Sequence, residues 1–532
     1  MRARMKIMTM GLLVGLCLLI ATIQPALAQE LAKDQTVFLG IEADDMRSID
    51  PIAPVAAQDM VMRHHLYGAL VRTPDGDCLG KREPDLATKW EISRDNLTWT
   101  FYLRKGVKWH WNYGEVTAED VVYSLNRVKD SKFSAYRGSY VNFTAIKAID
   151  KYTVQIVTAK PDPYLLSKVS NNLGGWIVCK SALEKAGKFD QGVSPVKEEC
   201  IGTGPFKFVE YRSKDRVVLA RNDDYWAGKP IVEKLVVKYI PDDGARELAL
   251  LKGEIAACKS LNDSKWIANM RSKGLILDAL GPADMDVIYF NTKMKPFDDK
   301  RVREAFAYAA DKTSIRMLIP ETRTYCTSPV PDGYPEHVET SWGKYNVRDV
   351  DLAKRLLAQA GYPDGIKVKL FMSTAFWYKD IMVLFQNQLK EAGIDLDMNF
   401  VAHAEYLTKV RQGVNPFVIW GIKYPTAIQW VRPYYHSDAI VGTPKGELNF
   451  MMYSNSKVDA LIEEAETTLD DTKRMGLFAQ IQRMIAQDFP SMPVVVMRSP
   501  RLRHPWLDLG YKPLNDIIWS YEIGVKTKVL KH

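Results

Sequence analysis

Residues 366–400, IKVKLFMSTAFWYKDIMVLFQNQLKEAGIDLDMNF, read as strand, helix, strand. Ile366, Val368 and Leu370 alternate with polar residues at the period of a half-buried strand, and Ile394, Leu396, Met398 and Phe400 repeat that pattern on one face. Between them Ile381, Leu384, Phe385 and Leu389 recur at helical spacing, and Gly393 stops the helix. A helical crossover of this length lays its two strands side by side in the same direction. This third of the chain is therefore expected to be a mostly parallel, layered α/β domain.

The neighbouring segments extend the alternation. Asp349 is expected to cap a helix through Val350, Ala353, Leu356 and Leu357 that ends at Gly361, and Asp298 or Asp299 to open one helix running to about Ile319. Ser456 is expected to cap a helix over Val458, Leu461, Ile462 and Leu469, a further helix carries Phe478, Ile481 and Ile485, and Pro493 to Met497 reads as a buried strand. The N-terminal half is richer in strands. Leu86 to Lys105 alternates on both sides of Arg94-Asp95-Asn96, a β-hairpin with Trp99, Phe101 and Leu103 on one face, and Thr117 with Asp120 opens a capped helix.

At 532 residues the chain is too long for one ordinary core, and two or three domains are expected. Arg2, Arg4 and Lys6 precede an apolar run from Ile7 to Ile23 and then Pro25-Ala26-Leu27-Ala28, the pattern of a secretory leader cut after Ala28, so the mature chain is expected in the periplasm. The formal net charge of +8 falls to +5 without the three leader cations, and Lys and Arg are interleaved with acids, unlike a nucleic-acid binder. Cys17 belongs to the leader. Of Cys78, Cys179, Cys200, Cys258 and Cys326, an oxidising compartment is expected to pair Cys179 with Cys200, which flank a short segment, and secondarily Cys258 with Cys326.

No sequence pattern points to catalysis or to a cofactor. HExxH, GxSxG, a Walker loop and a Rossmann glycine signature are all missing, and Gly202-Thr203-Gly204-Pro205-Phe206 lacks the Lys-Ser/Thr and helix start of a phosphate loop. His64-His65 and His110, between Trp109 and Trp111, read as packed histidines rather than metal ligands. The densest feature is 415–436, NPFVIWGIKYPTAIQWVRPYYH, with two Trp, three Tyr, a Phe, three Pro and the cations Lys423 and Arg432. It reads as an irregular wall of a ligand cleft, aromatic faces giving stiff apolar contact and the cations fixing a polar group; a space-filling core loop is the alternative.

Several blocks together carry a family resemblance. They are LATKWEISRDNLTWTFYLRKGVKWH (86–110), EVTAEDVVYSLNR (115–127), GTGPFKFVEY (202–211), IYFNTKMKPFDDKRVREAFAYAADK (288–312) and AKRLLAQAGYPDG (353–365). In this order, from about residue 36 to about residue 500, the chain resembles the extracellular solute-binding proteins of the dipeptide, oligopeptide and nickel type, family five, which serve ABC importers. The resemblance implies an α/β, two-lobed periplasmic binding protein type II-like fold with two crossovers, an extra inserted domain and a hinge-bending interlobe cleft. Lobe I would combine 29–73, 199–287 and 501–532, the inserted domain would be 74–198, and lobe II 288–500. It also implies a monomeric receptor, without enzymatic activity or cofactor, that hands its solute to a membrane permease driven by separate ATPase subunits.

The resemblance has one pointed departure. In peptide-binding relatives the aromatic-Gly pair of this region is followed by an Asp that holds the peptide ammonium, whereas Trp420-Gly421 is followed here by Ile422-Lys423-Tyr424-Pro425. A buried ammonium without a carboxylate is costly, so the ligand is expected to be anionic, neutral, glycan-like such as an oligosaccharide, or a modified peptide, with a metal chelate near His403 or His436 as a further option. The expected ligand contacts are Met46, Arg47, Phe376, Trp377, Trp420, Lys423, Tyr424, Trp430 and Arg432. An exported hydrolase and a sensor or chaperone that does not transport are the competing functions.

Overall fold

The computed structural model describes residues 30–54, 57–171, 174–515 and 521–532. The leader, its cleavage after Ala28 and Cys17 lie outside them. Strand β1 (Thr36–Ile41) runs through a loop into helix α1 (Ala57–Leu66). Then come β2 (Ala87–Ile92), β3 (Thr98–Leu103), helix α2 (Ala118–Asp130), β4 (Phe143–Asp150) and β5 (Thr153–Thr158), which pair as an antiparallel sheet in the order β2-β3-β5-β4. Helix α2 opens as its sequence indicates, Thr117 N–H donating to the Asp120 carboxylate at 2.9 Å, and buries Val121, Leu125 and Val128 with Trp99 and Phe101 of the hairpin.

The chain then returns to β1. Strands β6 (Phe206–Arg212), β7 (Arg216–Arg221), β8 (Lys234–Tyr239), β9 (Ala257–Lys259) and β10 (Ile276–Leu280) build a seven-stranded mixed sheet around it, in the order β6-β7-β8-β1-β9-β17-β10. Its last member, β17 (Ser499–Arg503), comes from far along the chain. The turn at Gly202 and Gly204 has a packing reason: a Cβ at either position would collide with the Leu66 or His65 carbonyl at the end of α1.

From β10, residues 281–284 lead to β11 (Met285–Phe290), helices α3 (Lys300–Ala309) and α4 (Lys312–Leu318), β12 (Arg323–Thr324) and helix α5 (Val350–Gln359). The strand-helix-strand unit follows as β13 (Ile366–Ser373), α6 (Phe376–Glu391) and β14 (Ile394–Val401), the two strands parallel with Ile366 opposite Ile394. Helix α7 (His403–Arg411), β15 (Phe417–Ile422), helix α8 (Ile428–Tyr435) and β16 (Ser491–Met497) complete this part, and Arg498 alone separates β16 from β17. The chain thus passes between the seven-stranded sheet and a second sheet at 281–284 and again at Arg498, side by side, since β10 pairs with β17 and β11 with β16.

Several expectations need correction. The second sheet, β12-β16-β11-β15, is antiparallel throughout, and among the described residues of this part β13 and β14 are the strands that pair in parallel; the crossover helix governs only the two strands it joins. The helix from Asp299 breaks at Ala310, which is extended, and Asp311 caps α4 by accepting from Thr313 and Ser314 N–H, so a local cap outcompetes continuation. Asn455, not Ser456, caps the next helix. Segment 415–436 is regular: it is β15 followed by α8, which tolerates Pro433 because burial of Trp430, Tyr434 and Tyr435 offsets the ~3 kcal/mol penalty of an interior proline.

The disulfides do not form. Cys179, Cys200, Cys258 and Cys326 are thiols in four different settings, because closeness along the chain did not become closeness in space. Cys179 lies in the core around α2 with its Sγ 3.3 Å from Ser181 Oγ, whereas Cys200 packs under the seven-stranded sheet and donates to the Ser194 carbonyl. Cys258 sits on β9, and Cys326 lies beneath the second sheet beside Met285.

A buried ion pair is among the polar contacts that join the β2–β5 region to the first sheet. Arg127 of α2 forms a bidentate ion pair with Asp50 of the loop after β1, at 2.9 and 2.6 Å, with both side chains fully buried. Val193 N–H donates to the same carboxylate at 2.8 Å, and the Lys188, Phe189 and Gln191 carbonyls accept from the guanidinium, so every charged atom is satisfied.

Candidate ligand-binding site

Where the chain passes between the sheets it leaves a cavity of about 450 Å³. Its wall comes from both sides of the passage: Lys259 at the end of β9, Asp284 and Asp286 around the start of β11, Arg323 on β12, Gly421 and Lys423 at the end of β15, and Arg498 between β16 and β17. A concave site of this size between two sheets suits a small solute rather than a macromolecule.

The local folding explains the floor. β15 is an edge strand, yet its outer backbone groups are occupied: Gly421 N–H donates to Tyr378 Oη at 3.2 Å, and Tyr406 Oη donates to the Ile419 carbonyl at 2.9 Å. Tyrosines from α6 and α7 therefore close the edge that would otherwise recruit another strand. On the inner side Gly421 stands directly opposite Asp286 of β11, and cross-strand partners share a face. A Cβ at Gly421 would collide with Asp286 Oδ1, so the glycine gives the carboxylate its room.

The charges are mixed. Lys259 pairs with Glu42 at 3.0 Å and Arg498 with Asp332 at 3.1 Å, so each brings its own counterion to the rim. Arg323 donates to the Ile315 carbonyl at 2.8 Å, and burial lowers its pKa although Asp286 opposes that. Asp286 is 4% exposed, and burial, reinforced by the neighbouring Asp284 and opposed by Arg323, pushes its pKa up to about 7.

The sequence-derived candidates divide sharply. Lys423 lines the cavity. Phe376 and Trp377 open α6 immediately before the cavity-lining Tyr378, and their side chains lie outside the described residues. Trp420 stands on the opposite face of β15 from Gly421 and packs its ring 5.5 Å from Phe450. Trp430 is buried edge-on between Tyr424 and Tyr334, and Tyr424 Oη lies 3.0 Å from Tyr434 Oη. Arg432 is held by Asp438 in a bidentate pair at 2.5 and 2.8 Å and by Glu466 at 3.4 Å. Met46 packs on the core of the first sheet and Arg47 is exposed, their loop fixed by Asp59, which accepts from Arg47 and Ser48 N–H; neither lines the cavity.

Sequence reasoning missed Asp286, Arg323 and Tyr378. A signal for the first was present: Asp286 interrupts Met285–Phe290, a strand of which every residue is buried, and an acid inside such a strand calls for a reason. The histidines are core groups. His65 accepts from Ile523 N–H, His110 accepts from Gly202 N–H and bonds the Gly204 carbonyl, and burial lowers their pKa values to about 4 and about 3.

The family model of bacterial extracellular solute-binding proteins, family 5 (middle), matches residues 81–441. Heme-binding protein A of Haemophilus influenzae is 28% identical over 82% of this chain and 81% of its own length. The dipeptide-binding protein of Escherichia coli K12 is 27% identical over 77% and 80% respectively. Among solved structures, the binding protein MoaA of A. tumefaciens R10 in complex with mannopinic acid superposes with a TM-score of 0.73 at 29% identity, covering 94% of this chain and all of that one.

Proposed function

Because the chain belongs to the bacterial extracellular solute-binding proteins of family 5, we propose that the cavity at the passage between its sheets is the place where it captures a small, charged, polar solute for an ABC importer. One observation carries this reading: a single cavity is lined by Lys259 of the first sheet and by Asp286 and Arg323 of the second, with Lys423 at its edge. Such a lining suits a ligand carrying at least one carboxylate, which Lys423 and Arg323 would meet.

Family members are binding proteins rather than enzymes, and they work in the periplasm or outside the cell with ABC permease components. The finer points are part of the proposal. The leader is cut after Ala28, the mature chain acts as a monomer, and the units are 29–73 with 199–287 and 501–532, 74–198, and 288–500. The position of the three larger sheets along the chain supports that division. Phe376 and Trp377 are proposed as the apolar side of the site, next to Tyr378.

The ligand class is open to direct measurement. Mature protein purified from its native host, denatured and analysed by mass spectrometry, is expected to release a carboxylate-bearing solute of a few hundred daltons. Calorimetry with mannopinic acid and with the dipeptide Met-Leu then compares two chemistries bound by relatives. Release of an uncharged oligosaccharide, or turnover of a peptide by the purified chain, would remove the basis for this reading.

A further inference from the structure

We propose that Tyr164 and Leu469 form a reciprocal latch that holds the solute cavity shut, so that affinity for every solute is set in part by two positioning residues outside that cavity. The inference rests on the reading of the cavity as the place of solute capture, and it concerns the closing step rather than the chemistry of the ligand.

The two bodies that the latch joins are not connected by the chain. Both ends of the β2–β5 region lead to the first sheet, through α1 and β6, whereas the passages to the second sheet leave from β10 and β17. Contact between the β2–β5 region and the body of the second sheet is therefore made without a covalent link. Tyr164, with Leu79, packs against the core beneath the second sheet. Leu469, from the loop before the helix Asp471–Asp488, packs against the core around α2. Each body thus receives an apolar group of the other, and parting them returns both groups to water.

Each plug is braced from its own side. The buried Asp162 carboxylate accepts from Tyr164 N–H at 3.1 Å, from Lys168 Nζ at 2.6 Å and from Asn142 Nδ2 at 3.2 Å, which fixes the turn carrying Tyr164. The Arg474 guanidinium donates to the Thr468 and Leu469 carbonyls at 3.1 and 3.4 Å and stands 5.9 Å from the centre of the Tyr164 ring. One residue therefore holds the Leu469 loop and meets the opposite plug.

The join is built to part. A cavity of about 250 Å³ lies beside it, lined by Lys160, Asp162 and Tyr164 on one side and by Thr426, Gln429 and Glu466 on the other. Tyr164 and Leu469 are half-buried, and among the described residues the buried Tyr164 Oη has no hydrogen-bond partner. The Arg127–Asp50 join to the first sheet is the opposite case, fully buried and saturated with hydrogen bonds. At the latch, apolar burial favours closure while the desolvated hydroxyl opposes it, which keeps the contact reversible.

The test reads closure with and without solute. Fluorophores on cysteines introduced as Asp130→Cys at the end of α2 and Lys354→Cys on α5 report the separation of the two bodies. Solute-free wild type is expected to show a short-distance population, and Leu469→Ala to shrink it roughly tenfold. Calorimetry with mannopinic acid and with Met-Leu is expected to show the same roughly tenfold loss for whichever of them binds. Tyr164→Phe keeps the ring and removes the stranded hydroxyl, so it is expected to raise both the short-distance population and the affinity, by roughly threefold. A merely structural role would move neither readout in that direction. Should Leu469→Ala not fold, Tyr164→Phe decides alone. A short-distance population that is absent from solute-free wild type or unchanged in the variants, or affinity that is unchanged, overturns the latch and leaves the importer reading standing. A wild type that binds neither solute counts against the capture reading, while the solute-free separations still decide the latch.

Discussion

The two halves of segment 415–436 look alike in sequence, each carrying a Trp, Tyr and a cation, yet they do opposite work. The helix α8 half spends its rings on the core: Trp430 is 2% exposed, and Arg432 is consumed by Asp438 and Glu466. The strand β15 half contributes to the cavity through Gly421, a residue with no side chain, and Lys423 just beyond it. Aromatic density marks packing as readily as it marks binding. What separates the halves is which one lines the cavity beside Asp286.

That contrast can be broken or sharpened by substitution. Trp430→Ala is expected to cost about 3–5 kcal/mol of stability, the range for truncating a large buried aromatic, while leaving solute affinity nearly unchanged below the lowered melting temperature. Denaturant unfolding with binding measured in parallel checks this, and a loss of affinity without a loss of stability would erase the contrast.

Asp286 gives the next largest effect, through pH. Its carboxyl titrates near its ordinary value, about 4, in the unfolded chain and about 7 in the folded one. Between those values the folded state holds the extra proton, so stability falls as pH rises through that window and levels off above it. The neighbours that bias this titration are Asp284, which raises it, and Arg323, which lowers it; Lys423, Lys259 and Arg498 line the same cavity. The contribution lost between pH 4 and pH 8 is on the order of 2–4 kcal/mol for a fully buried group, and Asp286→Asn should remove it. Melting curves of the ligand-free proteins at the two pH values test it; a wild type and variant with parallel profiles would show that the carboxylate is ionised without cost.

Gly421→Ala places a methyl against Asp286 Oδ1 and is expected to weaken solute binding by roughly tenfold and stability by about 1–3 kcal/mol. Unchanged affinity would show that the clearance above Asp286 is not used. The smallest effect is that of Arg432→Gln. Its pairs with Asp438 and Glu466 are about a quarter to a third exposed, so solvent screening limits the loss to about 1 kcal/mol, with no change in affinity. Chemical denaturation resolves the first quantity and calorimetry the second.

What could be read from the sequence was local or family-wide. The Thr117–Asp120 cap, the hairpin at 86–105 and the strand-helix-strand unit at 366–400 depend on residues a few positions apart, and all three are present. The antiparallel second sheet was hidden because β11, β15 and β16 are far apart in the chain and their order is set by tertiary packing. The pairing of Asp286 with Gly421 was hidden for the same reason: a missing carboxylate after Trp420 was visible in one segment, whereas an acid from another strand needs the register. The cysteines failed differently. Cys179 and Cys200 bound a short stretch, but the chain between them leaves one core for another.

The buried Arg127–Asp50 pair also makes a mechanical statement. An ion pair without water access, braced by backbone bonds from 188–193, acts as a rivet between α2 and the loop after β1, so these pieces should travel as one body whenever the cavity opens. Fluorophores on α2 and β6 should then report a constant separation through a solute cycle, while a pair spanning α2 and α5 reads out the whole stroke.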